Sequence, residues 1–340
     1  MRTTAESCDQ RKKGDRMKRL PSFGLALGLI FLGSLGGAQA QEKYPTRAIE
    51  LVVPFGPGGA SSVAAHAYKD ELARLLKVPV NVVNREGGTG VQGTAYVIRS
   101  KKDGYTLLAS TDTALVVMPV ISKEVTYDPL KDVVPIGYQG YAPSVFAVRS
   151  DSPFKTLAEL IDFARKNPGK LKNGTSGLGT EAYINLQILC NKEKIKISQI
   201  PFKSGGDVAT MLLGGHIDMA TSALASLSPQ LKAGTLRGLA ISSKSRNKDF
   251  PNIPTTAELG HSEVDLVVWY ALFAPAGVPR QVVDVLVPAV EKVFRNPDVV
   301  ERVSRAGVEV EYKGPVELRK LMESGIRAVK EVAQDAGLAK

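Results

Sequence analysis

Apolar and polar positions along this chain switch between two periods, and the switches alternate. Ala48–Val53 is an apolar-rich run of strand type. From Val63 to Leu76 the positions Val63, Ala67, Leu72, Leu75 and Leu76 recur at helical spacing. Val78–Val83 predicts a second strand, Thr94–Arg99 a short helix and Tyr105–Ala109 a third strand. Strands alternating with helices predict an α/β fold with a mostly parallel sheet. The pattern resumes with strand Ser144–Val148 and a helix opened by the capping-box sequence Thr156-Leu157-Ala158-Glu159, ending near Asn167-Pro168-Gly169. Leu171–Thr175 leads into a helix that runs to about Leu189. Strands Ile197–Phe202, Ile217–Ala220 and Leu236–Ile241 then alternate with helices Val208–Leu213 and Ser228–Ala233. Val264–Phe273 is apolar and returns the chain to the first half, and helical patterns at Gln281–Arg295, Asp298–Ala306 and Pro315–Ala336 close it. Two α/β halves, each with a loop that opens into a helix, predict two lobes facing across a cleft.

The loops carry the candidate chemistry. Pro54-Phe55-Gly56-Pro57-Gly58-Gly59-Ala60-Ser61-Ser62 joins the first strand to the first helix. Its glycines allow close approach to the main chain, and Ser61 or Ser62 reads as the helix N-cap. The free N–H groups and positive dipole end of such a helix favour a carboxylate or phosphate, although the stretch also reads as a tight turn without a ligand. Gly174–Thr180 is a second loop of the same polar kind. In Asn84–Gly93, Gly88-x-Gly90-x-x-Gly93 with Asp112 about twenty residues on matches a dinucleotide fingerprint. There, however, the first glycine leaves the strand directly, whereas Asn84–Gly87 intervene here. A nucleotide-binding α/β enzyme using residues 87–93 is therefore the alternative reading. Gly174-Thr175-Ser176-Gly177-Leu178 lacks the spacing of a nucleophile elbow. His66, His216 and His261 lack metal-ligand spacing, and His66 reads as an exposed helix residue rather than a base. Lys203 reads as either a cleft-facing or an exposed turn lysine, and Trp269 as core or cleft wall.

Lys18-Arg19, the apolar run Phe23–Leu35 and Ala38-Gln39-Ala40 form a secretory signal peptide, with Met17 as the expected start and cleavage after Ala40. Setting aside the seven basic and three acidic residues up to Ala40, from totals of 44 and 34, leaves a net charge of +6. The basic residues are scattered without aromatic interleaving, which argues against nucleic acid. Cys8 leaves with the leader, so Cys190 has no disulfide partner and reads as core.

Several stretches together resemble the periplasmic receptors of tripartite tricarboxylate transporters, the Bug or TctC-like group. They are Val53-Pro54-Phe55 with Pro57-Gly58-Gly59, Asp103–Leu108, Tyr127–Asp132, Asn167–Leu171, Leu212–Asp218, Lys232–Arg237, Ile253-Pro254-Thr255 and Phe273–Pro279. The resemblance runs from Tyr44-Pro45 to about Gly337. It implies a two-lobed periplasmic-binding-protein fold (Venus flytrap, type II), with residues 41–140 and 267–340 in one lobe and 141–266 in the other. It implies a receptor, not an enzyme, that needs no cofactor or metal. A small carboxylate is expected between the two loops, held by Phe55, Pro57, Gly58, Gly59, Ala60, Ser61 and Ser62 on one side and Thr175, Ser176, Gly177, Gly179 and Thr180 on the other, with Lys203 and Ser222. The implied partners are transporter membrane subunits or a sensor, and the implied state is a monomer in the periplasm. The chain departs from the family at Ser62, often acidic, at His66, often Arg, at Ser222-Ala223, often Asp-Asn, and at Ala182-Tyr183, commonly Ser-His. Because neither loop holds Asp or Glu, although Glu181 follows the second, non-amino carboxylates are expected to bind better than amino acids.

The leader generates a direct test. Intact mass of the exported protein is expected to start at Gln41, and a mature species that retains Met17 would refute the leader reading.

Overall fold

The computed structural model describes residues 43–335. In chain order its elements are β1 (Ile49–Val53), α1 (Ala60–Leu76), β2 (Val80–Asn84), α2 (Val91–Arg99), β3 (Thr106–Thr111), a π-helical turn (Thr113–Val117), α3 (Met118–Ile121), α4 (Pro129–Asp132) and β4 (Val133–Arg149). There follow α5 (Leu157–Lys166), β5 (Lys172–Thr175), α6 (Glu181–Glu193), β6 (Ser198–Pro201), α7 (Gly205–Leu213), β7 (Met219–Ala223), α8 (Leu224–Lys232) and β8 (Leu236–Ile241). The last elements are β9 (Val267–Pro275), α9 (Arg280–Arg295), α10 (Pro297–Arg305), β10 (Glu309–Lys313) and α11 (Pro315–Asp335). The alternation read from the pattern is therefore present, with the helix starts shifted by a few residues.

The strands form two sheets that share β4. In the first, β2, β1 and β3 are parallel, and β9, β4 and β10 follow antiparallel. In the second, β8 and β7 flank the far end of β4 antiparallel, and β5 and β6 continue parallel to β7. Residues 133–143 of β4 pair with β9, whereas 144–149 pair with β7 and β8. Successive side chains of a strand face opposite ways, so each sheet has two apolar faces to cover. Leu51, Leu107 and Leu272 meet α1, α9 and α10 on one face of the first sheet, where Tyr68 and Phe294 stack edge-on at 5.0 Å. Val52, Leu108 and Phe273 meet α2 and α11 on the other. On the second sheet Phe146 and Val148 face α5 and α6, while Val145 and Ala147 face α7 and α8. Cys190 lies in this core, where burial pushes its thiol up to about 11.

Two elements escape the apolar pattern. The first half of β4 holds Pro135, Gly137, Gly140 and Pro143, residues that normally demote a strand. Register shifts at 135–137 and 138–140 absorb them. At Gly140, φ is +145° and an added Cβ would lie 2.1 Å from the Glu309 carbonyl oxygen, so only glycine lets β10 close on this edge. β10 itself, Glu-Val-Glu-Tyr-Lys, is half-exposed and short of apolar residues.

Helix α5 starts as its sequence predicts. The Thr156 hydroxyl accepts from the Glu159 N–H at 3.2 Å, and Glu159 accepts from the Thr156 N–H at 3.3 Å. Thr156→Ala is expected to lower unfolding free energy by about 1 kcal/mol. Urea denaturation checks this, and an unchanged midpoint would show that the cap contributes nothing.

Candidate functional site

Four helices of the two halves begin on one cavity. It is lined by Gly59, Ala60 and Ser61 at the start of α1, by Thr180, Glu181 and Ala182 at α6, by Gly205 at α7, and by Ala223 and Ser226 at α8. Gly59, not a serine, is the N-cap of α1, and no side chain caps this helix. The first intrahelical bond is Val63 N–H to the Gly59 carbonyl, so the N–H groups of Ala60, Ser61 and Ser62 precede the ladder. This corrects the capping reading. Ser61 lines the cavity, whereas Ser62 turns away and donates to Asn84 Oδ1 at 3.3 Å. At α6 the Thr180 hydroxyl takes the Tyr183 N–H, and at α7 the Ser204 hydroxyl takes the Asp207 N–H. The N–H groups nearer each cap remain for a ligand. Positive dipole ends and unspent donors converging from four directions make an anion site, and no lysine or arginine lines it.

The floor carries the opposite charge. Asp112, just after β3, and Glu181, the first residue of α6, are both buried. Both meet Thr113, whose N–H reaches Asp112 and whose hydroxyl reaches Glu181. The Thr113 hydroxyl donates to Glu181 Oε1 and Oε2 at 3.0 and 3.2 Å. Asp112 Oδ1 accepts from the Thr113 N–H at 3.0 Å and the Trp269 N–H at 3.4 Å. Burial first, and then the Glu181 charge, hold the Asp112 carboxyl well above the usual carboxylate range. Burial pushes Glu181 up to about 7. The hydroxyls of Thr111 and Tyr270 are also buried against the cavity, and neither has a hydrogen-bond partner.

The structure brings Phe55, Gly59, Ala60, Ser61, Ser176 and Thr180 together in the cavity wall. Pro57 and Gly58 are exposed at its rim, where Gly58 meets Gly206 closely enough that an added Cβ would lie 3.3 Å from the Gly206 Cα. Thr175 is buried behind the wall, its hydroxyl 3.3 Å from that of Thr180. Gly177 packs on Thr89, and Gly179 on Ile121. Ser222 is fully buried with its Oγ unpartnered, outside the lining. Lys203 is exposed at the mouth, where its Nζ pairs with Glu86 Oε1 at 2.9 Å. Sequence reasoning missed Thr111, Thr113, Ser144, Gly205, Ser226, Val268 and Tyr270 in the lining. Gly205 alone had a visible cue, because Ser204-Gly205-Gly206 before a helix repeats the Gly58-Gly59-Ala60 theme. Glu181, which directly follows the second loop, also lines the cavity, so an acid reaches the site although neither loop holds one. The glycine loop at 87–93 serves packing: a Cβ on Gly93 would lie 2.4 Å from the Arg85 carbonyl oxygen. His66 is exposed, and among the described residues no cluster of His, Cys, Asp or Glu is placed to hold a metal.

Two sheets joined through a shared strand, with helix ends converging between them, define a two-lobed α/β periplasmic binding protein. The chain belongs to the tripartite tricarboxylate transporter family of receptors, whose family model matches residues 64–338. Members of this family are solute-binding receptors rather than enzymes, and the nucleotide alternative finds no support. The chain is 31% identical over 316 residues to the protein BugT of Bordetella pertussis, covering 92% of this chain and 97% of that one. Among solved structures it is similar to Rhodopseudomonas palustris Rpa4515 with adipate, at a TM-score of 0.82 and 27% identity over 87% of this chain and 99% of that one. It is also similar to MatC from the same organism with bound malate, at a TM-score of 0.78 and 26% identity over 85% and 99% of the two chains.

The start of α7 offers a test of the packing around the site. A Cβ on Gly205 would lie 2.4 Å from Ser226 Cβ and 2.9 Å from Ser222 Oγ. Gly205→Ala is expected to cost about 1–3 kcal/mol by overpacking, with part regained in Gly205→Ala/Ser226→Gly. Urea denaturation of both variants checks this, and additive losses would refute the contact.

Proposed function

We propose that this receptor captures a small organic carboxylate between its lobes and delivers it to the membrane subunits of a tripartite tricarboxylate-type transporter or to a sensor. The observation that carries this reading is the convergence of four helix N-termini on a cavity without lysine or arginine. Main-chain donors already oriented toward one point bind an anion without ordering flexible side chains. The two solved relatives that hold malate and adipate support the same ligand class. We assign the ligand contacts to Gly59, Ala60, Ser61, Ser176, Thr180 and Gly205. Phe55 forms the apolar wall, and Pro57, Gly58, Gly177, Gly179 and Lys203 form the rim. Ser62, Thr175 and Ser222 support the wall from behind.

The lobes are residues 41–140 with 267–340, and 141–266, and they hinge where β4 and the segment before β9 cross. As closed, the cavity measures about 40 Å³. That is room for about three waters, so larger ligands enter by opening the hinge. The receptor works as a periplasmic monomer released by cleavage after Ala40.

Calorimetry with straight-chain and hydroxylated dicarboxylates of four to six carbons, amino acids and nucleotides tests this reading. At least one carboxylate is expected to bind, and a panel in which only nucleotides bind would overturn it. At Gly59, φ is −68°, an ordinary value, and a Cβ there would lie 3.1 Å from the Gly56 carbonyl oxygen and 3.8 Å from the Gly205 nitrogen, so valine crowds both the loop and the α7 donors. Gly59→Val is expected to weaken carboxylate binding by about tenfold or more, and Lys203→Ala by less than about threefold. Equal losses, with both variants folded by thermal unfolding, would move the site away from the α1 terminus.

A further inference from the structure

Asp112 and Glu181 reach each other from opposite sides of the cleft. Asp112 follows β3 of the first sheet, and Glu181 opens α6, which packs on the second. Their contact therefore exists only while the cleft is closed. The groups facing the pair are Thr113 from the π-helical turn, Tyr270 from β9 and Tyr138 from β4. Among the described residues no lysine, arginine or histidine pairs with either carboxyl. Two buried carboxyls held on one threonine without a cation favour a proton on the pair. A second observation ties the pair to the ligand: the Tyr270 and Thr111 hydroxyls, buried at 2% exposure each and lining the same cavity, have no partner.

We propose that Asp112 and Glu181 form a proton latch, so that closing on an anionic ligand takes up one proton and opening releases it. The proposal rests on the carboxylate reading of the site. Without the proton, closure would bury an anion beside two further negative charges. With it, one charge on the pair is removed and the helix ends are left free for the ligand. The sign follows from the two states. Closed, burial and the neighbouring Glu181 hold the Asp112 carboxyl well above the usual carboxylate range, and burial pushes Glu181 up to about 7. Opened, both carboxyls meet water and return toward the ordinary range near 4. Above the ordinary carboxylate range the closed form binds more protons, so affinity rises as pH falls, by up to about tenfold per pH unit for one proton. The unpartnered Tyr270 and Thr111 hydroxyls donate to the captured carboxylate and bring it within reach of the latch.

The test is calorimetry of the mature protein with malate and with adipate at about pH 5.5 and about pH 8.5, in two buffers of different ionisation enthalpy. The latch predicts affinity at least about tenfold tighter at the lower pH, and a buffer-dependent heat corresponding to nearly one proton taken up near pH 6. Glu181→Gln, which leaves Asp112 as the one carboxyl of the pair that can titrate, is expected to flatten the pH dependence and reduce the buffer-dependent heat. Asp112→Asn serves as the second variant where the first does not fold. A purely structural role would weaken binding equally at both pH values. Wild-type binding that is independent of pH and buffer overturns the latch and leaves the carboxylate reading standing. If neither acid binds at either pH, the carboxylate reading fails for this pair. The latch, which rests on that reading, falls with it.

Discussion

An α-helix begins with N–H groups that its own ladder cannot use, and this structure gathers four such beginnings around one small space. Each is paired with a strand whose carboxyl end points the same way. β1 leads to α1, β5 to α6, β6 to α7 and β7 to α8. The strands must be near-parallel for the helix ends to converge, and both faces of each sheet must then be covered by helices. The anion site and the layering are thus two outcomes of one arrangement. A carboxylate satisfies donors that would otherwise need water, which gives the closed form an advantage that the empty cleft lacks.

The arrangement also explains why a site for anions tolerates acids in its floor. Helix ends supply partial charges that are fixed in direction, so Glu181 at the first position of α6 is favoured by its own helix even while it faces the cavity. Two carboxyls stacked there exceed what those partial charges offset, and the proton makes up the difference. Tyr138 and Tyr270, held neutral by burial, keep further charge away.

Much of this was legible in the sequence because it is local. The runs that became β1 and α1, the Thr156–Glu159 box and the glycine loop at 54–62 each announce themselves within a dozen residues. What stayed hidden depends on distant pairing. The first half of β4 looks like a loop because Pro135, Gly137, Gly140 and Pro143 make sense only against the partner strands β9 and β10. Ser61 and Ser62 have the chemistry of caps, yet Gly59 ends the loop in a conformation that leaves their hydroxyls for the cavity and for Asn84. Asp112 and Glu181 stand 69 positions apart in sequence, and nothing near either one names the other. Asp112 first drew notice as a possible nucleotide contact and proved to be the buried partner of a second acid.

The place of β9 has a consequence for how the chain is made. β9 sits between β3 and β4 in the first sheet, yet it comes from residues 267–275, far downstream of β1 at 49–53. Until that segment has emerged, β3 lacks its neighbour, and α9, α10 and α11 are not there to cover either face of the sheet. Long-range pairing of this kind folds slowly. The lobe that carries the α1 terminus is therefore completed only by the last third of the chain.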